Sequence, residues 1–178
     1  MLQGPMSEPS QRHTGAPLEI LLAGTAETRR LARDLAERAR PGDIIGLAGP
    51  LGCGKTTFAR AFIRALAGAT TEVPSPTFTL LQVYAGRDGP IHHFDLYRIE
   101  SPEDAWELGI EEAFGDGIAL IEWPERLGDL WPADALVLTF AQPPGSAADM
   151  RRARLVGGPS WSDRLAALRE KAAMVAGG

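Results

Sequence analysis

The sequence predicts a single α/β domain: a central sheet of mixed direction, flanked by helices, with antiparallel hairpin additions. Three observations carry that expectation. Short apolar runs of strand length alternate with amphipathic stretches of helical period. Two pairs of runs are joined by turn-forming sequence, as hairpins are. A chain of 178 residues fits one domain with a sizeable core.

The elements follow in order. Residues 1–16 read as a disordered leader. Residues 16–24, "APLEILLAG", read as a first strand, and the next segment as a helix with Thr25 as N-cap and Leu31, Leu35 and Ala39 on one face. Residues 41–49 combine a turn with a short apolar run, the pattern of a strand buried on both faces. From Lys55 to Gly68 a helix carries Phe58, Phe62, Ile63 and Leu66 on one stripe and stops at glycine. Two prolines make 72–76 an extended loop. A hairpin follows, with strands at 78–84 and 91–99 around "AGRDGP". Ser101, with Pro102 behind it and acids in the first turn, caps a short helix over "SPEDAWELGIEEAF". Residues 118–121 form another buried strand, ending at Glu122. A second hairpin pairs 135–141 with 150–157, and residues 160–175 close the chain as an amphipathic helix with Trp161, Leu165, Leu168 and Ala172 on one stripe. The expected organisation is a leader (1–16), a main domain that carries the loop motif (17–158) and a C-terminal amphipathic helix with its tail (159–178).

Composition narrows the function classes. Hydrophobic residues make up 44% of the chain, yet no apolar run is long enough to span a membrane. The leader lacks the apolar core of a secretory signal. A lone cysteine, Cys53, excludes an internal disulfide framework and suits a reducing, cytoplasmic setting. The net charge of −5 argues against a broad grip on nucleic acid, so contact with RNA is expected to be local or made through a partner. Lys55 and Lys171 are the two lysines in an arginine-rich chain, and a compact ammonium at position 55 suits a specific role.

That role is set by "GPLGCGKTTFAR" at residues 49–60. Gly49, Leu51, Gly52, Cys53, Gly54, Lys55 and Thr56 fit the phosphate-loop pattern G-x-x-x-x-G-K-T, with an apolar strand before and a helix after. The glycines let successive N–H groups point inward, where they and the helix N-terminus bind a polyphosphate. Lys55 would reach the β- and γ-phosphates, the Thr56 hydroxyl would ligate Mg²⁺, and Thr57 would lie near the α-phosphate. Cys53 supplies backbone. A metal partner should end a neighbouring strand at the carboxyl edge of the sheet. Glu122, directly or through water, and Asp95 are the candidates. Ser75, Thr77 and Thr79, in "SPTFT", sit where a nucleotide switch senses the γ-phosphate, though a stiff connector would read the same. Trp123 either packs in the core or covers the site. His92 and His93 alternate faces of one strand without Cys or His at metal-ligand spacing, which argues against zinc. Arg151, Arg152 and Arg154 form a basic cluster that is either a solvated strand face or a phosphate or partner contact.

Taken together, "GPLGCGKTTFAR", "SPTFTL", "HFDLYRI", "ELGIEEAF" and "IEWPERL", in this order and spacing, resemble the TsaE (YjeE) family over residues 20–157. The resemblance implies a P-loop ATPase supporting threonylcarbamoyladenosine modification of tRNA, with ATP and Mg²⁺ as cofactors. It implies partnership with TsaD, which carries the transfer itself, and with TsaB, its pair. It assigns the ATP phosphates to 49–57, Mg²⁺ to Thr56 and Glu122, and a place near the metal or attacking water to Asp95. It makes residues 75–79 a switch segment and puts Thr25 and Ala26 beside the adenine. Pro50 stands where the family has an acid, and Cys53 where it has alanine. Pro50 also cannot donate an N–H. With no arginine finger in evidence, hydrolysis by the chain alone is expected to be slow and a partner to complete the site. Two other classes share the loop: a small-molecule kinase, which would need a basic lid where this chain is acidic, and a module that uses ATP as an assembly switch without hydrolysing it.

Overall fold

A computed structural model describes residues 16–176; the leader expected at 1–16 lies, but for its last residue, outside them. The strands are β1 (Leu18–Ala23), β2 (Ile44–Ala48), β3 (Leu81–Gly86), β4 (Gly89–Asp95), β5 (Ile118–Glu122), β6 (Leu136–Ala141) and β7 (Met150–Gly157). They form one seven-stranded sheet in the order β1-β7-β6-β2-β5-β4-β3. The central strands β6, β2, β5 and β4 run parallel, while β7 and β3 are antiparallel to their neighbours. Parallel pairs need crossovers, and the helices supply them. These are α1 (Thr25–Ala36), α2 (Lys55–Ala67), α3 (Pro102–Glu107), α4 (Ile110–Gly115) and α5 (Ser162–Ala176). The fold is the expected single α/β domain.

Each face of the sheet carries its own core. Phe58, Phe62 and Ile63 of α2 pack with Leu31 and Leu35 of α1, Ile45 and Leu47 of β2, and Trp161 and Leu165 near the C-terminus. On the other face Phe94, Ala119, Ile121, Leu127 and Trp131 surround α3 and α4. Gly46 makes that second layer possible: a Cβ there would lie 2.7 Å from the Trp131 ring and 2.9 Å from Pro124. The alternation of faces along β4 and β5 leaves Asp95 and Glu122 as register partners at the carboxyl ends of adjacent parallel strands.

The structure corrects several expected boundaries. Gly24 (φ 108°), not Thr25, is the N-cap of α1, and no side chain caps it. Glu27 instead reaches back to accept from the Ala23 N–H at 2.5 Å. The strand expected at 78–84 begins only at Leu81, because Pro76–Leu80 close a turn in which the Leu80 N–H donates to the Pro76 carbonyl at 2.7 Å. Its partner stops at Asp95 rather than Ile99, as Leu96 turns to donate to the Glu122 carbonyl. One expected helix is two: Gly109 (φ 74°) breaks α3 from α4. The capping box on Ser101 forms as read, with Asp104 bonding back to the Ser101 N–H.

The C-terminal helix packs on the domain. Leu165 and Leu168 enter the first core, Lys171 pairs with Asp34 of α1, and Arg164 forms a two-pronged ion pair with Asp43.

Candidate active site

β2 delivers the chain to Gly49 at the carboxyl edge of the sheet. Gly49 has φ 128°, and a Cβ there would sit 2.4 Å from the Phe140 carbonyl of β6, so glycine is required. Gly52 (φ 74°) and Gly54 (φ 110°) also take left-handed backbone, and a Cβ on either would meet open space. Gly54 is the N-cap of α2, with no side-chain cap and no acid in the first turn. The first amides of a 13-residue helix, and the positive end of its dipole, are thus left for an anion.

Lys55 opens α2 and is 5% exposed. Its ammonium donates to the Gly49 carbonyl at 2.6 Å and the Pro50 carbonyl at 2.8 Å, with Cys53 Sγ at 3.7 Å. The Trp123 ring lies beneath it, 4.0 Å to the centroid. The cation is held inside the loop by groups that an incoming phosphate can replace.

The carboxylates converge on the same place. Glu122 is 2% exposed, and each of its oxygens has a side-chain partner. Thr56 donates to Oε2 at 3.0 Å, and His93 Nε2 lies 3.0 Å from Oε1. Asp95 accepts from the Tyr97 N–H on Oδ1 and from the Thr77 hydroxyl on Oδ2, both at 3.0 Å. Thr77 is in turn 2.7 Å from the Ser75 hydroxyl. Two residues adjoining this cluster, Leu80 (φ 62°) and Trp123 (φ 63°), are the non-glycine residues with left-handed backbone among the described residues. Such backbone costs of order 1–3 kcal/mol and collects at functional sites. At Trp123 it turns the ring, 5.0 Å from that of Tyr97, toward Lys55.

The donor set fits a hard divalent ion. One hydroxyl and one carboxylate oxygen lie side by side, and among the described residues no group of three or more His, Cys, Asp or Glu could hold a metal unaided. Magnesium bound with a nucleotide asks for this: one or two protein oxygens, the rest from phosphate and water.

Most of the sequence-derived residues meet here. Gly49, Leu51, Gly52, Cys53, Gly54, Lys55 and Thr56 form the loop, Thr57 follows on α2, Glu122 is bonded to the loop through Thr56, and Asp95, the register partner of Glu122, carries Thr77 and Ser75 on its own chain of bonds. Thr79 is exposed and has no place in that chain of bonds. Thr25 and Ala26 are exposed at the start of α1. Strand β1 shares its direction with β6, so they emerge at the same edge as the loop. His93 is the participant that residue-by-residue reading passed over. Its position two residues before Asp95, on the same face of one strand, was the available signal.

The chain is similar to known proteins in sequence and in fold. A family model described as "Threonylcarbamoyl adenosine biosynthesis protein TsaE" matches residues 22–151, most of the chain. The chain belongs to the TsaE family. The "tRNA threonylcarbamoyladenosine biosynthesis protein TsaE" of Rickettsia felis is 47% identical over 111 residues, covering 62% of this chain and 65% of that relative. Its Bacillus subtilis namesake is 40% identical over 115 residues, covering 64% of this chain and 71% of the relative. The crystal structure of YdiB from Bacillus subtilis is similar with a TM-score of 0.72 at 27% identity, covering 89% of this chain and 97% of that one. The match spans 65% and 59% of the Rickettsia felis and Rickettsia conorii relatives, somewhat under two thirds of their length. No helix among the described residues is long and apolar enough to cross a membrane. The family's description places its members in threonylcarbamoyladenosine biosynthesis.

Proposed function

We propose that this chain binds Mg-ATP in the 49–57 loop and hydrolyses it slowly, in support of threonylcarbamoyladenosine formation on tRNA, with TsaB and TsaD homologues as partners. The observation that carries the reading is the Thr56–Glu122 hydrogen bond of 3.0 Å, which sets a hydroxyl and a buried carboxylate together at the open N-terminus of α2.

The chain's own groups divide the work. Loop amides and the α2 N-terminus receive the phosphates. Lys55 exchanges its two carbonyl partners for phosphate oxygens, which costs little because the ammonium is already desolvated. Thr56 and Glu122 would hold Mg²⁺, which would supply charge neutralisation at the phosphates. Asp95, fixed by Tyr97 and Thr77, orients water for attack on the γ-phosphate. The Ser75–Thr77–Asp95 chain links the switch segment to that acid, so nucleotide state is read at residues 75–79. Arg98 stacks on the exposed Phe78 ring, 4.7 Å to the centroid, and not on the loop. A partner would complete the charge around the transition state.

The test is ADP release from Mg-ATP by the pure protein, alone and then with the TsaB–TsaD pair and tRNA, with Lys55→Ala as control. Low turnover that rises with the partners and vanishes in the variant is expected. Tight ATP binding with no hydrolysis under any condition would make the chain a nucleotide-gated assembly module instead.

A further inference from the structure

We infer that His93 is a positioning residue for Glu122: by holding Oε1 of the carboxylate, it fixes Oε2 toward Thr56. The inference rests on the reading of Thr56 and Glu122 as the Mg²⁺ ligands.

Three observations support it. His93 is fully buried, with Ile91 and Asp95 beside it on its own strand face and Leu120 and Gln82 as its register partners. A fully buried imidazole needs a hydrogen-bond partner, and among the described residues Glu122 is the one it has. Second, the terminal torsion of glutamate is broad, so one hydrogen bond leaves the carboxylate free to rotate. Thr56 on one oxygen and His93 on the other define its plane at two points. Asp95 is clamped in the same two-point way, by a backbone N–H and a hydroxyl. Third, Nδ1 of His93 has no hydrogen-bond partner among the described residues. An ionised carboxylate only accepts, so Nε2 carries the hydrogen, and the ring's polar contact is directed wholly at Glu122. The β4–β5 register produces the contact: it sets Asp95 beside Glu122 and His93 one pleat behind, diagonal to it.

The role is separable from folding by its metal dependence. The experiment titrates Mg²⁺ into the full chain with a fluorescent ADP analogue and repeats the binding in EDTA. Outer-sphere partners of metal ligands typically contribute about 10–100-fold to metal affinity. His93→Leu is therefore expected to raise the Mg²⁺ half-saturation about tenfold or more, while affinity in EDTA stays at the wild-type value. His93→Gln, whose amide N–H approaches the position of Nε2, should restore most of the loss. In a Glu122→Gln background, His93→Leu should add nothing further. Should the leucine variant fail to fold, His93→Asn carries the same test, since its amide stops short of Oε1. A folded His93 variant with wild-type Mg²⁺ half-saturation overturns the inference, as does an equal loss with and without the metal. Wild-type binding that ignores Mg²⁺ overturns both this inference and the functional reading beneath it. Dependence abolished by Glu122→Gln but untouched by the His93 variants overturns the inference alone.

Discussion

Arg164→Leu tests why the C-terminal helix is there. Arg164 donates to Asp43 through Nη1 at 2.5 Å and Nη2 at 3.0 Å, and its side chain and that of Asp43 are 9% and 10% exposed. It also donates to the Arg38 and Ser160 carbonyls and lies 3.6 Å over the Trp161 ring. The leucine variant keeps apolar bulk beside Trp161 but leaves Asp43 with one remaining donor, the Arg40 N–H at 2.7 Å. Removing one partner of a buried pair costs about 3–5 kcal/mol, because a charge is left uncompensated. For a chain of this size each kcal/mol lowers the melting temperature by about 2–4 °C, so a fall of about 6–20 °C is expected. Adding Asp43→Leu should recover part of it, since the orphaned charge goes too. Asp43 precedes β2 and the phosphate loop follows it, roughly 16 Å away along a five-residue strand. Nucleotide affinity at 25 °C should therefore be unchanged. Thermal melts of the wild type and both variants, with nucleotide titrations alongside, make the measurement. A single-variant cost under about 1 kcal/mol, the value of an exposed pair, would refute the reasoning.

Gly49→Ala should weaken nucleotide binding. The position combines φ 128° with a carbonyl oxygen 2.4 Å from the added Cβ. Backbone strain of about 1–3 kcal/mol, if relieved by opening the loop, corresponds to about 5–150-fold in affinity; an unchanged dissociation constant contradicts it. Thr77→Val keeps the shape but removes the donor to Asp95 Oδ2. ATP affinity should persist while turnover falls about tenfold, as an orphaned buried acceptor costs about 1–3 kcal/mol. Steady-state ADP release checks it, and wild-type turnover would contradict the role of the Thr77–Asp95 bond.

The parts of this account that were legible in the sequence are those encoded locally. The phosphate loop declares itself because left-handed glycines, a lysine and a threonine must occur at fixed offsets between a strand and a helix. Glu122 is readable because four apolar residues lead into one acid, which places it at a strand's carboxyl end. The Ser101 capping box is equally local. The rest depends on register and long-range closure. His93 meets Glu122 only because β4 and β5 pair in parallel with Asp95 opposite Glu122. The turn at 76–80 was hidden by an apolar, β-prone run. Thr77 is bonded to Asp95 and Phe78 is 82% exposed, so tertiary contacts override the local strand preference. Arg164 and Asp43 are 121 residues apart, and no local pattern joins them.

The most direct test of the central claim is a crystal structure with a non-hydrolysable ATP analogue and Mn²⁺, the metal located by its anomalous signal. The expected result is a single metal peak bonded to Thr56 Oγ1 and next to the Glu122 carboxylate, with Lys55 Nζ moved from the Gly49 and Pro50 carbonyls onto phosphate oxygens. Nucleotide bound elsewhere, or phosphates in the loop with the metal away from Thr56 and Glu122, would contradict the account.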